Sequence, residues 1–221
     1  MEQGKIIVIE GASDGIGKTT QYELLKEKLI NDGISIATHH FPSNGKDQGK
    51  LVELFLEGKF GERKDLNPYF ISNLYSIDRA ITWNNELKKE YESGKTILLD
   101  RYTTSNLIYQ SISFDDTENK KEFIKYIEDL EYDKLGIRRP DKVIFLYAPF
   151  ELVLKIHQSR KENEGIMNDI NERDLEFMKK VHDNSLFVAE YLNFEIINCE
   201  RDGELRKIED ISEEIYIKVK K

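Results

Sequence analysis

The feature that most constrains this chain is an apolar run, a glycine-rich turn and a helical stretch in direct succession near its start. Lys5-Ile-Ile-Val-Ile9 has the unbroken β-branched character of a strand buried on both faces. Lys18 to Asn31 carries Leu24, Leu25, Leu29 and Ile30 at helical spacing and stops at Asp32-Gly33. Glu10-Gly-Ala-Ser-Asp-Gly-Ile-Gly-Lys-Thr-Thr20 joins them. Glycines let the backbone wrap a phosphate closely, and the amides opening a helix point at it. Gly15-Ile-Gly-Lys-Thr19 has the tail of a Walker A loop, with Lys18 reaching β- and γ-phosphates and the Thr19 hydroxyl coordinating Mg²⁺. Five residues separate Gly11 from Gly17 where that motif has four, so either one residue is inserted before Asp14 or Ala12 takes the first glycine position. A ligand-free βα turn is the plainer reading. The joint occurrence of strand, loop, Lys-Thr and helix disfavours it.

The same alternation continues along the chain. Further strands are expected at Ile34–Thr38, at Thr96–Leu99 ending in Asp100, at Asp141–Tyr147 after Pro140, and at Phe194–Ile197. Helical patterns cover residues 67–93, Glu118–Tyr132, Phe150–Arg160, Ile170–Tyr191 and Glu204–Lys220. Strands alternating with helices predict an α/β fold, a five-stranded parallel sheet with helices on both faces. No linker or repeat interrupts the 221 residues, so residues 1–221 read as a single domain. The polar stretch Lys161–Asp169 is either a surface loop or a short lid, which would occupy about residues 160–172.

Composition narrows the function. The net charge of −9 argues against a polymeric nucleic acid as partner. No apolar run approaches the roughly 20 residues of a membrane span, and Met1–Lys5 leads straight into a strand without a signal peptide. The single Cys199 excludes an intramolecular disulfide, which fits a cytoplasmic location. His39, His40, His157 and His182 show no metal spacing.

A nucleotide loop leaves the reaction open, so the second substrate must decide it. Asp100-Arg101-Tyr102 follows a strand, and in open α/β sheets ligands bind beyond the carboxyl ends of strands, so it should face the crevice of the phosphate loop. Arg101 there can bridge donor and acceptor phosphates, and Asp100 can hold Mg²⁺ through water. Tyr75 and Arg79, four apart, share a helix face, where a ring could stack on a base beside a guanidinium. Asp169 and Glu172 suit a helix cap or a ligand equally.

Together, Gly15-Ile-Gly-Lys-Thr-Thr20, Phe41-Pro42, Leu74-Tyr-Ser-Ile-Asp-Arg79, Asp100-Arg-Tyr102 with Ser105-Asn106 and Tyr109-Gln110, and Asp169-Ile-Asn-Glu172 follow in order the pattern of thymidylate kinases, which the chain resembles over almost its whole length. The resemblance implies a P-loop nucleotide-kinase fold with a lid, usually a homodimer, that moves the ATP γ-phosphate to dTMP with Mg²⁺. It implies that Ser13, Gly15, Ile16, Gly17, Lys18, Thr19 and Thr20 bind ATP, with Thr19, Asp100 and Asp169 near the metal. Asp14 would approach the acceptor's sugar or phosphate, and Arg101 its phosphate. Phe41, Tyr75, Arg79, Ser105, Asn106 and Glu172 would line the acceptor site, with Tyr75 stacking on thymine, Arg79 contacting the base and Asn106 bonding its edge. Tyr109 would crowd the sugar 2′ position. Some members place a basic residue where Ile16 stands, and others supply a lid cation, for which Arg160 is the candidate, with Lys155 and Lys161 as alternatives. No arginine follows Phe41-Pro42, as it often does in the family.

Two other functions compete. A deoxynucleoside kinase would need a general base near a hydroxyl, and Glu10 is available for that role. A nucleotide-hydrolysing switch would carry an Asn-Lys-x-Asp segment or a strand ending in Asp-Glu, and neither occurs here.

Overall fold

The computed structural model describes residues 3–13, 15–164 and 175–220. In chain order its elements are β1 (Ile6–Gly11), α1 (Lys18–Asn31), β2 (Ile36–His40), α2 (Lys50–Leu56), α3 (Pro68–Thr82), α4 (Lys88–Glu92), β3 (Thr96–Asp100), α5 (Thr103–Ser111), α6 (Thr117–Glu128), β4 (Lys142–Tyr147), α7 (Phe150–Glu164), α8 (Leu175–Tyr191), β5 (Glu195–Asn198), β6 (Glu200–Arg201), β7 (Glu204–Leu205) and α9 (Ile208–Lys220). Five strands form the main sheet in the order β2-β3-β1-β4-β5, with helices between them, as the alternating pattern predicts. The chain divides into two compact units, one of Met1–Val8 with Ile34–Asp141, the other of Ile9–Gly33 with Lys142–Lys221.

In the first unit β2 runs parallel to β3 with Ile36 opposite Thr96 and His40 opposite Asp100. The strand lies two residues later than its apolar residues suggest, because this register pairs the polar Thr38-His39-His40 with buried Leu98, Leu99 and Asp100. Pro68 opens α3 at a position whose amide needs no partner, and the preceding Asn67 side chain accepts the Tyr69 N–H at 2.8 Å. Helical backbone then continues as far as Glu92, but a π-helical turn over Trp83–Leu87 separates α3 from α4. A second π-helical segment, Asp129–Lys134, extends α6. The short α2 buries Val52 and Phe55 against Ile71 and Leu74 of α3.

In the second unit β4 pairs in parallel with β5, Ile144 opposite Glu195. The start of the phosphate loop is tied to this pair by the Ala12 N–H donating to the Leu146 carbonyl at 3.0 Å. The Gln21 side chain on α1 donates to the Ile208 carbonyl at the head of α9. Residues 200–205, assigned to the final helix by pattern from Glu204 onward, form instead an antiparallel β6–β7 hairpin. Asp202 and Gly203 both have positive φ, 57° and 81°, the backbone that a tight hairpin turn requires.

Candidate active site

The phosphate loop is built around Gly15 and Gly17, at φ 91° and 88°. Gly17 directly precedes α1 in the left-handed region, and a Cβ there would meet nothing within 4 Å, so backbone conformation rather than crowding calls for glycine. Ile16 is buried: a Cβ on Gly11 would sit 3.3 Å from its Cδ1 and 3.7 Å from Lys18 Cδ. The Ile16 side chain thus anchors the loop from beneath, while Lys18 folds back along it. Ser13 Oγ donates to the Ala12 carbonyl at 2.8 Å. Glu10 is fully buried, and its carboxylate accepts the Gly11 N–H at 3.1 Å.

Among the described residues no side chain caps α1, and its first turn holds no acid. Lys18 occupies the first helical position, where the positive end of the helix dipole opposes a cation. That arrangement is favourable when an anion lies between the amides and the ammonium. The Thr19 and Thr20 side chains are exposed at this end. Asp14, Asp169 and Glu172 lie outside the described residues, as does the side chain of Arg160, whose backbone belongs to α7.

The first unit gathers the remaining candidates. Tyr75 stands edge-on to Phe55, ring centroids 6.3 Å apart. Burial pushes its phenol pKa up, opposed by the charges of Arg63, Arg79 and Arg101, and Tyr109 acts on it as well. These five side chains therefore share one electrostatic neighbourhood. Arg101 itself has φ 65° and carries its guanidinium 5.6 Å from the Tyr109 ring centroid. Asp100 is buried and its carboxylate lies 3.0 Å from His40 Nδ1. Ser105, half-buried, donates its backbone N–H to the Tyr102 carbonyl. The Phe41 ring packs against His39 and Tyr102 at centroid distances of 4.5 and 5.8 Å. With its ring 2% exposed, Phe41 supports the site from the core.

Arg79 and Asn106 are organised by a residue that the sequence reading did not single out, Glu131. This carboxylate is 0% exposed and sits in the Asp129–Lys134 segment. Arg79 donates to it twice, Nε to Oε2 at 2.7 Å and Nη2 to Oε1 at 2.5 Å. Thr103 Oγ1 donates at 2.7 Å, Ser76 Oγ lies 2.7 Å from Oε1, and Asn106 Nδ2 donates at 3.2 Å. Burial pushes the Glu131 pKa up, but the Arg79 charge and these hydrogen bonds outweigh it and leave the group below its ordinary value. Arg79, whose pKa burial would lower, is held above its ordinary value by Glu131. Asn106 Oδ1, by contrast, is buried without a hydrogen-bond partner. The signal for Glu131 was its spacing: Phe123, Ile127 and Glu131 are four apart, and the first two are fully buried. Arg63, which lies over the Phe55 ring and donates to Gln110 Oε1 at 3.2 Å, is a second such residue. It stands well beyond the stretch after Pro42 where the family pattern often has an arginine.

Comparison with known proteins decides the family. The family model described as thymidylate kinase matches residues 9–215. This chain belongs to the thymidylate kinase family. A probable thymidylate kinase of Methanocaldococcus jannaschii is 32% identical over 220 residues, covering 99% of this chain and 98% of its own. A thymidylate kinase of Nostoc punctiforme is 30% identical over 215 residues, covering 96% and 95%. The fold is that of a thymidylate kinase structure from Candida albicans, at a TM-score of 0.72 and 24% identity, covering 99% of this chain and 92% of that one. As a member of the thymidylate kinase family the chain is a phosphotransferase that binds nucleotides. Among the described residues no helix is long and apolar enough to cross a membrane.

Proposed function

We propose that the chain transfers the γ-phosphate of ATP to dTMP, giving ADP and dTDP, and so supplies dTTP synthesis in the cytoplasm. The observation that carries the acceptor assignment is Asn106 Oδ1, a buried acceptor without a donor, near Arg79 and Tyr75 on α3. A thymine base offers the imide N–H that Asn106 Oδ1 lacks, together with a carbonyl for Arg79 and an aromatic face for Tyr75. Tyr109, three residues beyond Asn106 and on the same side of α5, would penalise a ribose 2′-hydroxyl sterically.

The donor phosphates lie on the α1 amides, with Ser13, Gly15, Ile16, Gly17 and Thr20 contributing backbone and Lys18 its ammonium. Arg101 and the lid cation Arg160 draw the acceptor phosphate toward them, and Asp14 approaches the acceptor's sugar hydroxyl, from which a carboxylate can accept a hydrogen bond. That phosphate is already ionised near neutral pH, its second pKa being about 6, so no strong base is needed. Glu10, turned onto its own backbone, is free to remain structural. Positioning and charge stabilisation do most of the catalysis. The residues fit Mg²⁺: the Thr19 hydroxyl is exposed beside the uncapped amides, and Asp100, with Asp169, supplies hard oxygen. Such a site needs only one or two carboxylates because substrate phosphates and water complete it. When bound, the ion neutralises phosphate charge.

The two units interleave in sequence and the family match runs across both, which supports one kinase domain over residues 1–221 with a lid at about 160–172. Small nucleotides are its partners, together with a second copy of the chain. The candidate homodimer face is on α3, where Phe70, Ile77 and Ile81 are exposed on one side.

A coupled ADP-release assay across dTMP, dUMP, dCMP, dGMP, UMP and thymidine tests the reaction. Turnover should require dTMP, fall with dUMP, and vanish with UMP and thymidine. Turnover on thymidine would instead make the protein a nucleoside kinase, and ADP release indifferent to the acceptor would make it a hydrolase.

A further inference from the structure

An amide can present either its oxygen or its nitrogen, and the choice decides which bases it can read. In Asn106 the nitrogen is committed. Nδ2 lies 3.2 Å from Glu131 Oε1, 3.2 Å from the Ser72 carbonyl and 3.5 Å from Ser76 Oγ, so its oxygen must turn to the opposite side. Of these three, Ser76 can donate as well as accept, but the Ser72 carbonyl and the ionised Glu131 carboxylate only accept, and the carboxylate adds its charge to the penalty for reversal. Were Asn106 to flip, an amide oxygen would face a carboxylate oxygen in a site where neither meets water. The two bonds from Arg79 keep the carboxylate ionised and fixed.

We propose that Glu131 is a positioning residue for acceptor specificity: it locks the Asn106 amide with Oδ1 toward the base. The pocket then presents an acceptor, which pairs with the ring N–H of thymine or uracil and meets the lone pair at the same position of cytosine with repulsion. The specificity belongs to a side chain that never touches the substrate. This inference rests on the reading that Asn106 contacts the base edge.

Glu131→Gln tests it. The new carboxamide can donate as well as accept, so the charged part of the penalty is gone, only the Ser72 carbonyl still opposes reversal, and Asn106 can turn over to offer N–H to the base. The measurement is KM and kcat for dTMP, with Ki for dCMP as a competing acceptor, at a temperature where circular dichroism shows the variant folded. KM for dTMP should rise roughly tenfold or more with kcat changed far less, and the dTMP-to-dCMP preference should fall by about the same factor. An unchanged preference would overturn the proposal. If Glu131→Gln does not fold, Glu131→Asp serves: it keeps the charge for Arg79, withdraws the carboxylate from Asn106, and should lower the preference in the same direction. Thr103→Val removes a hydrogen bond to Glu131 but none to Asn106, so it should lower the melting temperature and leave the preference intact. A shifted preference in that variant would mean that loosened packing sets the specificity, against the proposal. Asn106→Ala separates the two layers. If it leaves the KM for dTMP unchanged, Asn106 does not read the base. If it raises KM while both Glu131 variants keep the preference, only the positioning role falls.

Discussion

Arg101 shows how a single residue trades conformational ease for position. At φ 65° it occupies the left-handed region, where an L side chain crowds its own carbonyl at a cost of about 1 kcal/mol. The turn from β3 into α5 imposes this backbone, and the result is a guanidinium held over the Tyr109 ring, near Tyr75. Glycine would accept the same backbone without strain. Comparing Arg101→Gly with Arg101→Ala isolates that strain, since both lose the guanidinium. Each should lower kcat by about a hundredfold or more, the scale of losing a charge-stabilising donor. The glycine variant should nevertheless melt about 2–4 °C above the alanine variant, the shift that about 1 kcal/mol gives in a chain of this size. Equal melting temperatures would show that the left-handed backbone costs nothing here.

At the scale of elements, one buried ion pair fastens α3 to the π-helical Asp129–Lys134 segment, with Arg79 2% exposed and Glu131 0% exposed, and Thr103 and Asn106 tie α5 to the same carboxylate by hydrogen bonds. Removing only one partner leaves an uncompensated buried charge, so Glu131→Ala should cost about 3–5 kcal/mol by denaturant unfolding, while Arg79→Met/Glu131→Leu should recover most of it. The pair also sets an acid limb of stability. Because the Glu131 pKa is lower in the folded chain than in the unfolded one, its contribution is complete above the ordinary glutamate value of about 4.3 and drains away as pH falls below that. Stability between about pH 5 and 3 should therefore fall more steeply in the unaltered protein than in the double variant. Parallel slopes would mean that the pair does not titrate in that window. Much of this architecture was legible in sequence, because strands buried on both faces appear as continuous apolar runs and the apolar spacing of α1 agrees with its stop at Asp32-Gly33. The parts that were not legible have physical reasons. Edge strand β2 is half polar, so its register depends on its neighbour. The helix at Thr103–Ser111 is rich in buried Thr, Ser, Asn and Gln, so it shows little of the apolar stripe by which a helix is recognised. Glu131 stands among other acids in Glu128-Asp-Leu-Glu-Tyr-Asp133, where a charge is ordinarily solvated. Tyr75, Arg79 and Asn106 could be named from the pattern; the carboxylate that orients two of them left only its four-residue spacing from Ile127 as a sign.

For the whole molecule, the exposed face of α3 bears on its state of assembly. Phe70, Ile77 and Ile81 are 43%, 42% and 39% exposed, and their spacing of seven and four residues sets them on one side of the helix. A two-fold axis would bring this face against its own copy, so one apolar surface serves both partners. Charge works against the contact, since each copy carries −9 and like charges repel at any distance that salt does not screen. The assembly should therefore tighten as salt rises from about 0.01 M to 0.15 M, where the Debye length shortens from about 30 to about 8 Å. An interface held by cross-chain ion pairs would loosen over the same range. Ile77→Glu/Ile81→Glu should convert a mass of two chains to one in sedimentation equilibrium, with the circular dichroism spectrum unchanged because neither side chain lies in the core. A single-chain mass for the unaltered protein at micromolar concentration and moderate salt would rule the dimer out. A two-chain mass that survives both glutamates would move the interface to another face.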